Sequence, residues 1–252
     1  MQAVSNSCNP AFIQIGQKLG VDNFFKYFNA FGLNGKTGID LPGEASAYHR
    51  KQEQMGPVEL ASESFGQSFT ITPMQMISIV STAVNGGYRV KPHLVEKIVD
   101  EKNNVVKITP TDTKQQVISK STSETMRTIL EYVVQNGAKN GIVSGYRVGG
   151  KTGTSQKLDK INLPENKEIG KRDFYIGSYI GVAPIDEPEI AVFVMLDEPK
   201  GANYYGGVIS APVGSKVMTD ILPYLGYEPQ YTEEELKNIS ISVPDVSGEE
   251  IG

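Results

Sequence analysis

The sequence has little cysteine, little histidine and no surplus of basic charge. Its single cysteine, Cys8, excludes an intrachain disulfide and does not indicate a redox compartment. A net charge of −5 and a pI near 5.2, with no basic cluster, argue against a nucleic-acid partner. No apolar run approaches the ~20 residues of a membrane span, and the first residues lack the pattern of a signal peptide.

The residues that are present are typical of a loop-rich globular domain. The 252 residues are 39% hydrophobic and 21% charged, and they include 26 glycines and 14 prolines. This length suits one large domain, or one domain with a fragment of another. The opening residues, MQAVSNSCNPAF, lead directly into a helical pattern, so we expect the chain to begin partway through a larger unit.

Helical periodicity dominates the first half of the chain and predicts a helical subdomain over residues 9–137. Three helices are predicted, each beginning at a polar N-cap: Asn9, Thr72 and Ser123. The segment 37–57 has prolines, glycines and no sustained period, which predicts a long loop. The segment 93–109 alternates and turns at 102–104, which predicts a hairpin.

The second half of the chain has the pattern of a β-sheet closed by a helix. Three strands are predicted, near residues 147–155, 174–183 and 189–197. The apolar period of APVGSKVMTDILPYLG then predicts a helix. We place the main domain at residues 1–227, a polar linker at 228–240 and the start of a second module at 241–252.

Residues 144–156, SGYRVGGKTGTSQ, fit two incompatible chemistries. Gly145, Gly150, Lys151 and Thr152 match G-x-x-x-x-G-K-[ST], the phosphate-binding loop of nucleotide hydrolases. That loop needs a buried strand before it and a helix after it, so that helix amides meet the phosphates. The preceding NGAKNGIVSG is too polar for such a strand, and the following residues show no helical period. The context therefore opposes nucleotide binding.

The same residues also contain Lys-Thr-Gly, a signature of serine acyl-transfer enzymes that act on penicillin-like substrates. This chemistry needs an extended strand beside a cleft, which the local pattern favours. It also needs a distant Ser-x-Asn, and Ser7-Cys8-Asn9 supplies one at the start of a helix. A serine hydroxyl and an ammonium can relay a proton, an asparagine amide can hold a peptide carbonyl, and threonine hydroxyls can bind a carboxylate. Either motif alone is weak, since Asn9 also suits a plain helix cap.

Together with longer segments, these motifs resemble the transpeptidase domain of class B penicillin-binding proteins, including their sporulation and cell-division members. The similar segments keep the family's order and cover nearly the whole chain: TGIDLPGE, GPVELASESFGQSFTITPMQM, NGGYRVKPHLV, VGGKTGTSQ, GSYIGVAPIDEPEIAVFVMLDEP and GGVISAPV. The final VPDVSG is similar to the first strand of a PASTA module, a small wall-binding repeat.

The resemblance implies a role for each candidate residue. Lys151 would stabilise the substrate carboxylate and the proton relay, Ser7 would shuttle protons, and Asn9 would hold the donor peptide. Thr152 and Thr154 would bind the carboxylate, and the Thr154 N–H would form half of the oxyanion hole. Two further residues would shape the cleft: Gly153, which lets substrate approach the strand, and Gln67, for which a buried structural role explains the residue equally well.

The family carries its nucleophile in a Ser-x-x-Lys box upstream of Ser-x-Asn. No such box precedes Ser7 here, so we expect the nucleophile, its lysine and the first strands of the sheet to be absent from these residues. The strand at 189–197 would then be an exposed apolar edge. We therefore expect the 252 residues alone to be inactive toward penicillin and to fold poorly as a monomer.

Cys8 and His49 are candidate zinc ligands, because a thiolate and an imidazole suit that ion. A site needs further ligands, from an upstream segment or from acids such as Glu53. A buried thiol and a surface histidine are the alternative. No cofactor is required by the implied chemistry, and His93 has no catalytic role in this interpretation.

The resemblance implies an α+β fold in which an antiparallel sheet lies between helices. It implies a D-Ala-D-Ala transpeptidase that crosslinks peptidoglycan stem peptides and is acylated by β-lactams. The expected partners are the stem peptides and a membrane glycosyltransferase, at the extracytoplasmic face of a bacterial membrane to which an N-terminal segment anchors the protein. A β-lactamase-type hydrolase and a non-catalytic penicillin-binding scaffold remain alternatives.

Overall fold

The first half of the chain is mainly helical in the structure, a computed structural model that describes residues 1–110, 114–161, 163–164 and 174–238. Its helices, in chain order, are α1 (Gln2–Ser5), α2 (Asn9–Ala30), a 3-10 turn (Gln52–Gln54), α3 (Pro57–Ser64) and α4 (Pro73–Val84). The predicted helix is confirmed over Asn9–Ala30, but its N-cap is Cys8, and Asn9, which was predicted as the cap, is the first helical residue. The helix is also broken at Gly20, where φ is 77°. Glycine adopts this φ without steric cost, so the two halves of α2 differ in direction.

Helix α4 begins as its sequence predicts. The Thr72 side chain accepts a hydrogen bond from the Gln75 backbone N–H at 3.1 Å, and the Gln75 side chain accepts one from the Thr72 N–H at 2.8 Å. This reciprocal capping box satisfies two backbone donors at the helix start. Gln75 also donates to the Gly35 carbonyl at 2.7 Å, which ties α4 to the loop after α2.

Two small antiparallel pairs follow α4. Their strands are β1 (Tyr88–Val90), β2 (Lys97–Val99), β3 (Val105–Ile108) and β4 (Lys114–Gln116). β2 pairs with β3, which confirms the hairpin predicted for 93–109, and β1 pairs with β4. The Asp40 carboxylate accepts from the Leu94 and Val95 N–H groups at 2.8 and 2.9 Å, and so fixes the base of the hairpin.

Helix α5 (Lys120–Asn136) begins earlier than predicted. Its N-cap is Ser119, whose hydroxyl accepts from the Thr122 N–H at 3.1 Å. Ser123, predicted as the cap, is buried inside the helix. Its hydroxyl accepts from the Gly86 N–H at 3.0 Å and donates to the Ala83 carbonyl at 2.9 Å. The prediction was wrong because the Ser123 hydroxyl forms hydrogen bonds with the backbone at the end of α4, and the local sequence pattern does not show such a tertiary contact.

The principal sheet has three antiparallel strands, β5 (Gly149–Gln156), β6 (Tyr175–Ala183) and β7 (Ile190–Asp197), with β6 in the centre. Helix α6 (Leu158–Ile161) follows β5, and the last helices are α7 (Gly206–Ile209), α8 (Ala211–Tyr224) and α9 (Glu233–Asn238). The three predicted strands and the closing helix are confirmed. Within the described residues, β7 pairs with β6 alone, so its other edge has no strand.

The sheet lies between helices, as the α+β prediction requires. Tyr179, on one face of β6, packs with Met218 and Leu222 of α8 in one buried cluster. Val182, on the opposite face, packs with Val84 of α4 and Leu130 of α5. Burial of each such side chain contributes about 1.5–3 kcal/mol to folding stability, so the two clusters hold the helices against the two faces of the sheet.

The C-terminal boundary predicted from the sequence is partly outside the described residues. Helix α9 lies within the predicted linker at 228–240, and its Leu236 lines a cavity of about 530 Å³ beside the end of α5. The predicted second module, residues 241–252, lies beyond the part of the chain that the structure describes. It stays a prediction.

Candidate active site

The seven residues predicted for catalysis and substrate binding line one cleft of about 380 Å³. The start of α2, the end of α3 and strand β5 form its walls. The lining residues are Ser7, Asn9, Phe12, Ser64, Phe65, Gln67, Lys151, Thr152, Gly153 and Thr154. Residues 144 positions apart in sequence thus meet in one site.

Lys151 and Ser7 are in direct contact. The Lys151 ammonium donates to Ser7 Oγ at 2.6 Å and to the Thr152 carbonyl at 2.7 Å. Ser7 lies between α1 and α2 with φ of 48°, a left-handed conformation that is uncommon for serine. The backbone turns sharply here between the two helices, and such strained positions often occur at functional sites.

Burial lowers the pKa of Lys151. Both of its hydrogen bonds go to neutral oxygens, so no carboxylate opposes the effect of desolvation. A lysine with a lowered pKa has a larger neutral fraction near neutral pH and can then accept a proton. The Ser7–Lys151 pair is therefore able to pass a proton between a hydroxyl and an amine.

The strand that carries Lys151 is extended from residue 149 through residue 156 and pairs with β6 along its whole length. Thr152 and Thr154 alternate with Lys151 and Gly153 at the cleft wall. This geometry rules out the phosphate-loop interpretation, because Lys151 would have to begin a helix there. At Gly153 a Cβ would lie 2.6 Å from Ser178 Oγ, so close packing against β6 also favours glycine.

Helix α7 is packed directly against this strand. The Gly206 N–H donates to Thr154 Oγ1 at 3.3 Å. A Cβ at Gly206 would lie 2.2 Å from the Ser178 carbonyl oxygen and 2.3 Å from that of Gly153. Because both contacts are with backbone atoms, no side chain can move to make room for the Cβ. The position of the cleft strand therefore depends on glycine at residue 206.

We expect Gly206→Ala to displace the strand at Gly153 and Thr154. Inserting a methyl group into closely packed structure lowers stability by about 1–3 kcal/mol. Displacing catalytic groups by about 1 Å can lower the reaction rate by as much as ~10²-fold. If the cleft performs the acyl transfer that the sequence resemblance implies, the substitution should slow acylation of the full-length protein by penicillin about tenfold in stopped-flow or gel assays. Gly207→Ala is the matched control, because its Cβ would lie 3.5 Å from Thr152 Cγ2, an ordinary contact. Equal rates for the two variants would contradict the packing argument.

The cleft wall formed by the end of α3 and the residues that follow it was predicted only in part. Gln67 lies in the wall and is half-buried, so its surroundings do not favour the alternative of a fully buried structural glutamine. Phe12, Ser64 and Phe65 were not predicted as site residues, although Ser64 and Phe65 lie in the family-like segment that contains Gln67. A Cβ at Gly16 of α2 would lie 1.8 Å from Ser64 Oγ, so α2 and α3 meet closely behind this wall.

The structure does not bring Cys8 and His49 into a metal cluster. No group of three or more His, Cys, Asp or Glu side chains able to hold a metal occurs among the described residues. His49 Nδ1 lies 2.9 Å from the Arg50 carbonyl oxygen, and its ring packs 5.1 Å from that of Phe28. Cys8 is the N-cap residue of α2 and is half-buried.

Comparison with known proteins gives a family match over residues 1–219, to the family described as penicillin binding protein transpeptidase domain. Stage V sporulation protein D of Bacillus subtilis is 43% identical over 256 residues, covering 98% of this chain and 38% of that protein. Peptidoglycan D,D-transpeptidase FtsI of Escherichia coli is 30% identical over 204 residues, covering 80% of this chain and 32% of that protein.

Solved structures agree. Penicillin-binding protein 3 of Mycobacterium tuberculosis, complexed with ampicillin, matches with a TM-score of 0.82 at 23% identity, over 96% of this chain and 53% of that chain. The TP domain of Burkholderia pseudomallei penicillin-binding protein 3 matches with a TM-score of 0.75 at 26% identity, over 91% and 65%. The fold, the cleft and the match over residues 1–219 agree, and the chain belongs to the penicillin-binding protein transpeptidase-domain family.

Proposed function

We propose that this chain supplies most of the active-site cleft of a peptidoglycan D,D-transpeptidase. The observation that carries the proposal is the Lys151–Ser7 hydrogen bond of 2.6 Å inside a cleft that Asn9, Thr152 and Thr154 also line. These side chains offer a proton relay, an amide and two hydroxyls to one bound peptide. The chain spans 38% and 32% of the two curated relatives, so the activity of the whole protein is part of the proposal.

The reaction proceeds by acyl transfer to a serine that we place N-terminal to Ser7, in a Ser-x-x-Lys box. Its oxygen attacks the penultimate D-Ala carbonyl while its proton passes to a neighbouring base. Collapse of the tetrahedral intermediate breaks the peptide bond, and terminal D-Ala leaves after its nitrogen accepts a proton from the Ser7–Lys151 relay. The amine of a second stem peptide then attacks the acyl-enzyme and forms the crosslinking amide. The ester bond to the serine breaks, and the serine oxygen takes up the proton that the amine loses.

Substrate binding depends on groups of this chain. The terminal carboxylate of the donor peptide binds the Thr152 and Thr154 hydroxyls beside the Lys151 ammonium, and the Asn9 amide holds the peptide backbone. The Thr154 N–H stabilises the developing oxyanion. A β-lactam has a carboxylate and an acyl carbonyl in a similar arrangement, and opening of its ring leaves no departing amine to diffuse away, so the adduct persists.

Labelling of the full-length protein with fluorescent penicillin tests this function. A stable, stoichiometric covalent adduct supports a transpeptidase. Rapid loss of the adduct by hydrolysis would point to a β-lactamase-type enzyme instead. Absence of labelling would point to a penicillin-binding scaffold without catalysis, and would contradict the proposal.

The location and partners follow from the proposed substrate. Peptidoglycan lies outside the bacterial membrane, so we place the domain at the extracytoplasmic face, held by an N-terminal membrane anchor. A membrane glycosyltransferase is the proposed partner, because crosslinking requires newly polymerised glycan strands. In the described part of the chain, no helix has the length and apolar character needed to cross a bilayer.

Zinc remains a proposal that requires ligands beyond Cys8 and His49. If these two residues hold the ion, the full-length protein should keep stoichiometric zinc through dialysis. A chelator should then lower its melting temperature, because metal that binds only the folded state stabilises it. Elemental analysis of protein purified without chelators provides the measurement, with Cys8→Ser as the comparison. Absence of zinc from the wild-type protein would end this proposal.

A further inference from the structure

An unusual carboxylate lies directly behind the cleft wall formed by Ser64, Phe65 and Gln67. Glu63, the next-to-last residue of α3, has a side chain that is only 1% exposed. Its Oε1 is 3.5 Å from Arg50 Nη1, a long contact for an ion pair. Its Oε2 has no hydrogen-bond partner among the described residues. A buried carboxylate that is so poorly satisfied disfavours the fold, and such costs are often retained for function.

The Arg50 guanidinium links Glu63 to the loop that carries Gln67. Its Nη1 also lies 3.4 Å from the Ser68 carbonyl oxygen. Ser68 has φ of 71°, so the chain turns sharply directly after Gln67. Two residues after Ser68, Thr70 pairs with Tyr48 in an isolated antiparallel β-bridge. The Thr70 N–H donates to the Tyr48 carbonyl oxygen at 2.8 Å. The segment around Arg50 therefore holds the Gln67 loop from behind.

We propose that Glu63 and Arg50 are positioning residues for the cleft. The Glu63 carboxylate holds the guanidinium of Arg50 against the Ser68 carbonyl, and this contact keeps Gln67 in the wall that faces Lys151 and Thr152. Neither residue lines the cleft, so they act through the loop and do not touch substrate. This role rests on the proposed acyl-transfer function and adds two residues to it.

Because one side chain is buried and the other is partly exposed, replacing each should affect the melting temperature differently. This difference distinguishes a positioning role from a structural one. Glu63 is 1% exposed and Arg50 is 34% exposed. Neutralising Glu63 removes a desolvated charge and leaves Arg50 in contact with water. Neutralising Arg50 removes the counterion of the buried carboxylate, which lowers stability at pH values where Glu63 is ionised. A positioning role predicts that both changes slow acylation, whereas only the second should lower the melting temperature.

The effect of pH on stability has a definite sign. Burial raises the pKa of Glu63, and nearby Glu59 raises it further, while Arg50 and His49 oppose the rise. A group whose pKa is raised on folding stabilises the folded state at low pH, and that contribution is lost as pH rises through the folded pKa. Glu63→Gln does not titrate, so its melting temperature relative to wild type should be higher at pH 8 than at pH 4, which lies below the ordinary glutamate pKa of 4.5.

The test compares acylation of the full-length protein by fluorescent penicillin with thermal melting at both pH values. We expect Glu63→Gln and Arg50→Gln each to slow acylation about fivefold, within the range of small misplacements. Glu63→Gln should melt no lower than wild type, and Arg50→Gln should melt lower. The double variant should acylate no more slowly than the slower single variant, because each substitution removes the same Glu63–Arg50 contact. Glu101→Gln, in the exposed hairpin turn, is the matched control and should resemble wild type.

Three outcomes would overturn the inference. Wild-type acylation rates in both single variants would show that the loop does not depend on this pair. A Glu63→Gln variant that melts lower, or fails to fold, would show that Glu63 serves the fold. Additive losses in the double variant would show that the two residues act separately. Failure of the wild-type protein itself to acylate would contradict the proposed function, and is distinguishable from all three.

Discussion

Replacing Lys151 with alanine should lower the rate of acylation by penicillin at least ~10²-fold, the scale of a lost electrostatic contact in a preorganised site. The ammonium donates to Ser7 Oγ at 2.6 Å and stands beside the threonines that line the cleft. In the proposed mechanism, its removal takes away both the charge that meets the substrate carboxylate and one member of the proton relay. Time-resolved labelling of the full-length protein with fluorescent penicillin gives the rate.

Lys151→Arg separates the two roles. Arginine keeps the positive charge but stays protonated at neutral pH, so it can bind a carboxylate and cannot accept a proton. An arginine variant nearly as slow as alanine would assign the larger effect to proton transfer. Lys97→Ala, on the exposed strand β2, is the matched control for loss of one lysine. Acylation of Lys151→Ala within threefold of wild type would remove Lys151 from the site.

The second large effect concerns the ion pair that anchors the cleft strand. Arg147 precedes β5, and its Nε and Nη2 donate to the two oxygens of Glu131 on α5 at 2.6 and 2.7 Å. The hydrogen bonds with Glu131 raise the pKa of Arg147 above its ordinary value. The Glu131 side chain is 3% exposed. Arg147→Ala should therefore leave a buried carboxylate unpaired and lower stability by about 3–5 kcal/mol.

Thermal and denaturant unfolding of the full-length protein measure this loss. The control is Lys120→Ala, which removes the exposed pair with Glu124 at 3.9 Å and should change stability by no more than about 0.5 kcal/mol. The double variant Arg147→Met with Glu131→Leu should recover much of the lost stability, because no charge is then left buried. A loss below about 1 kcal/mol for Arg147→Ala would contradict the assignment of a buried, paired carboxylate.

The elements with strong local signals were predictable from the sequence. Thr72, Pro73 and Gln75 encode a complete helix start, and the cap is formed as expected. The apolar strands β6 and β7 and the closing helix α8 were predicted within a few residues, because their periodicity is fixed by the layers they pack between. The two short motifs at Ser7 and Lys151 identified the cleft, since their chemistry requires them to meet.

The remaining features depend on tertiary contacts that local sequence does not contain. Ser123 looks like a helix cap, yet it is buried against the end of α4. Helix α3 lies just beyond the loop predicted for residues 37–57 and packs on α2 where Gly16 allows close approach. The Arg50–Glu63 pair could not be predicted either, because a buried glutamate at this position has no sequence signal that distinguishes it from an exposed one.

The most direct test of the account is the position of the acylated serine. Full-length protein is labelled with penicillin, digested and mapped by mass spectrometry, and the 252-residue chain is treated in parallel. We predict one adduct, on a serine N-terminal to Ser7 in a Ser-x-x-Lys box, and no adduct on the 252-residue chain alone. An adduct on Ser7 or Ser64, the two serines that line the cleft, would show that this chain carries its own nucleophile and would contradict the assignment of Ser7 to the proton relay.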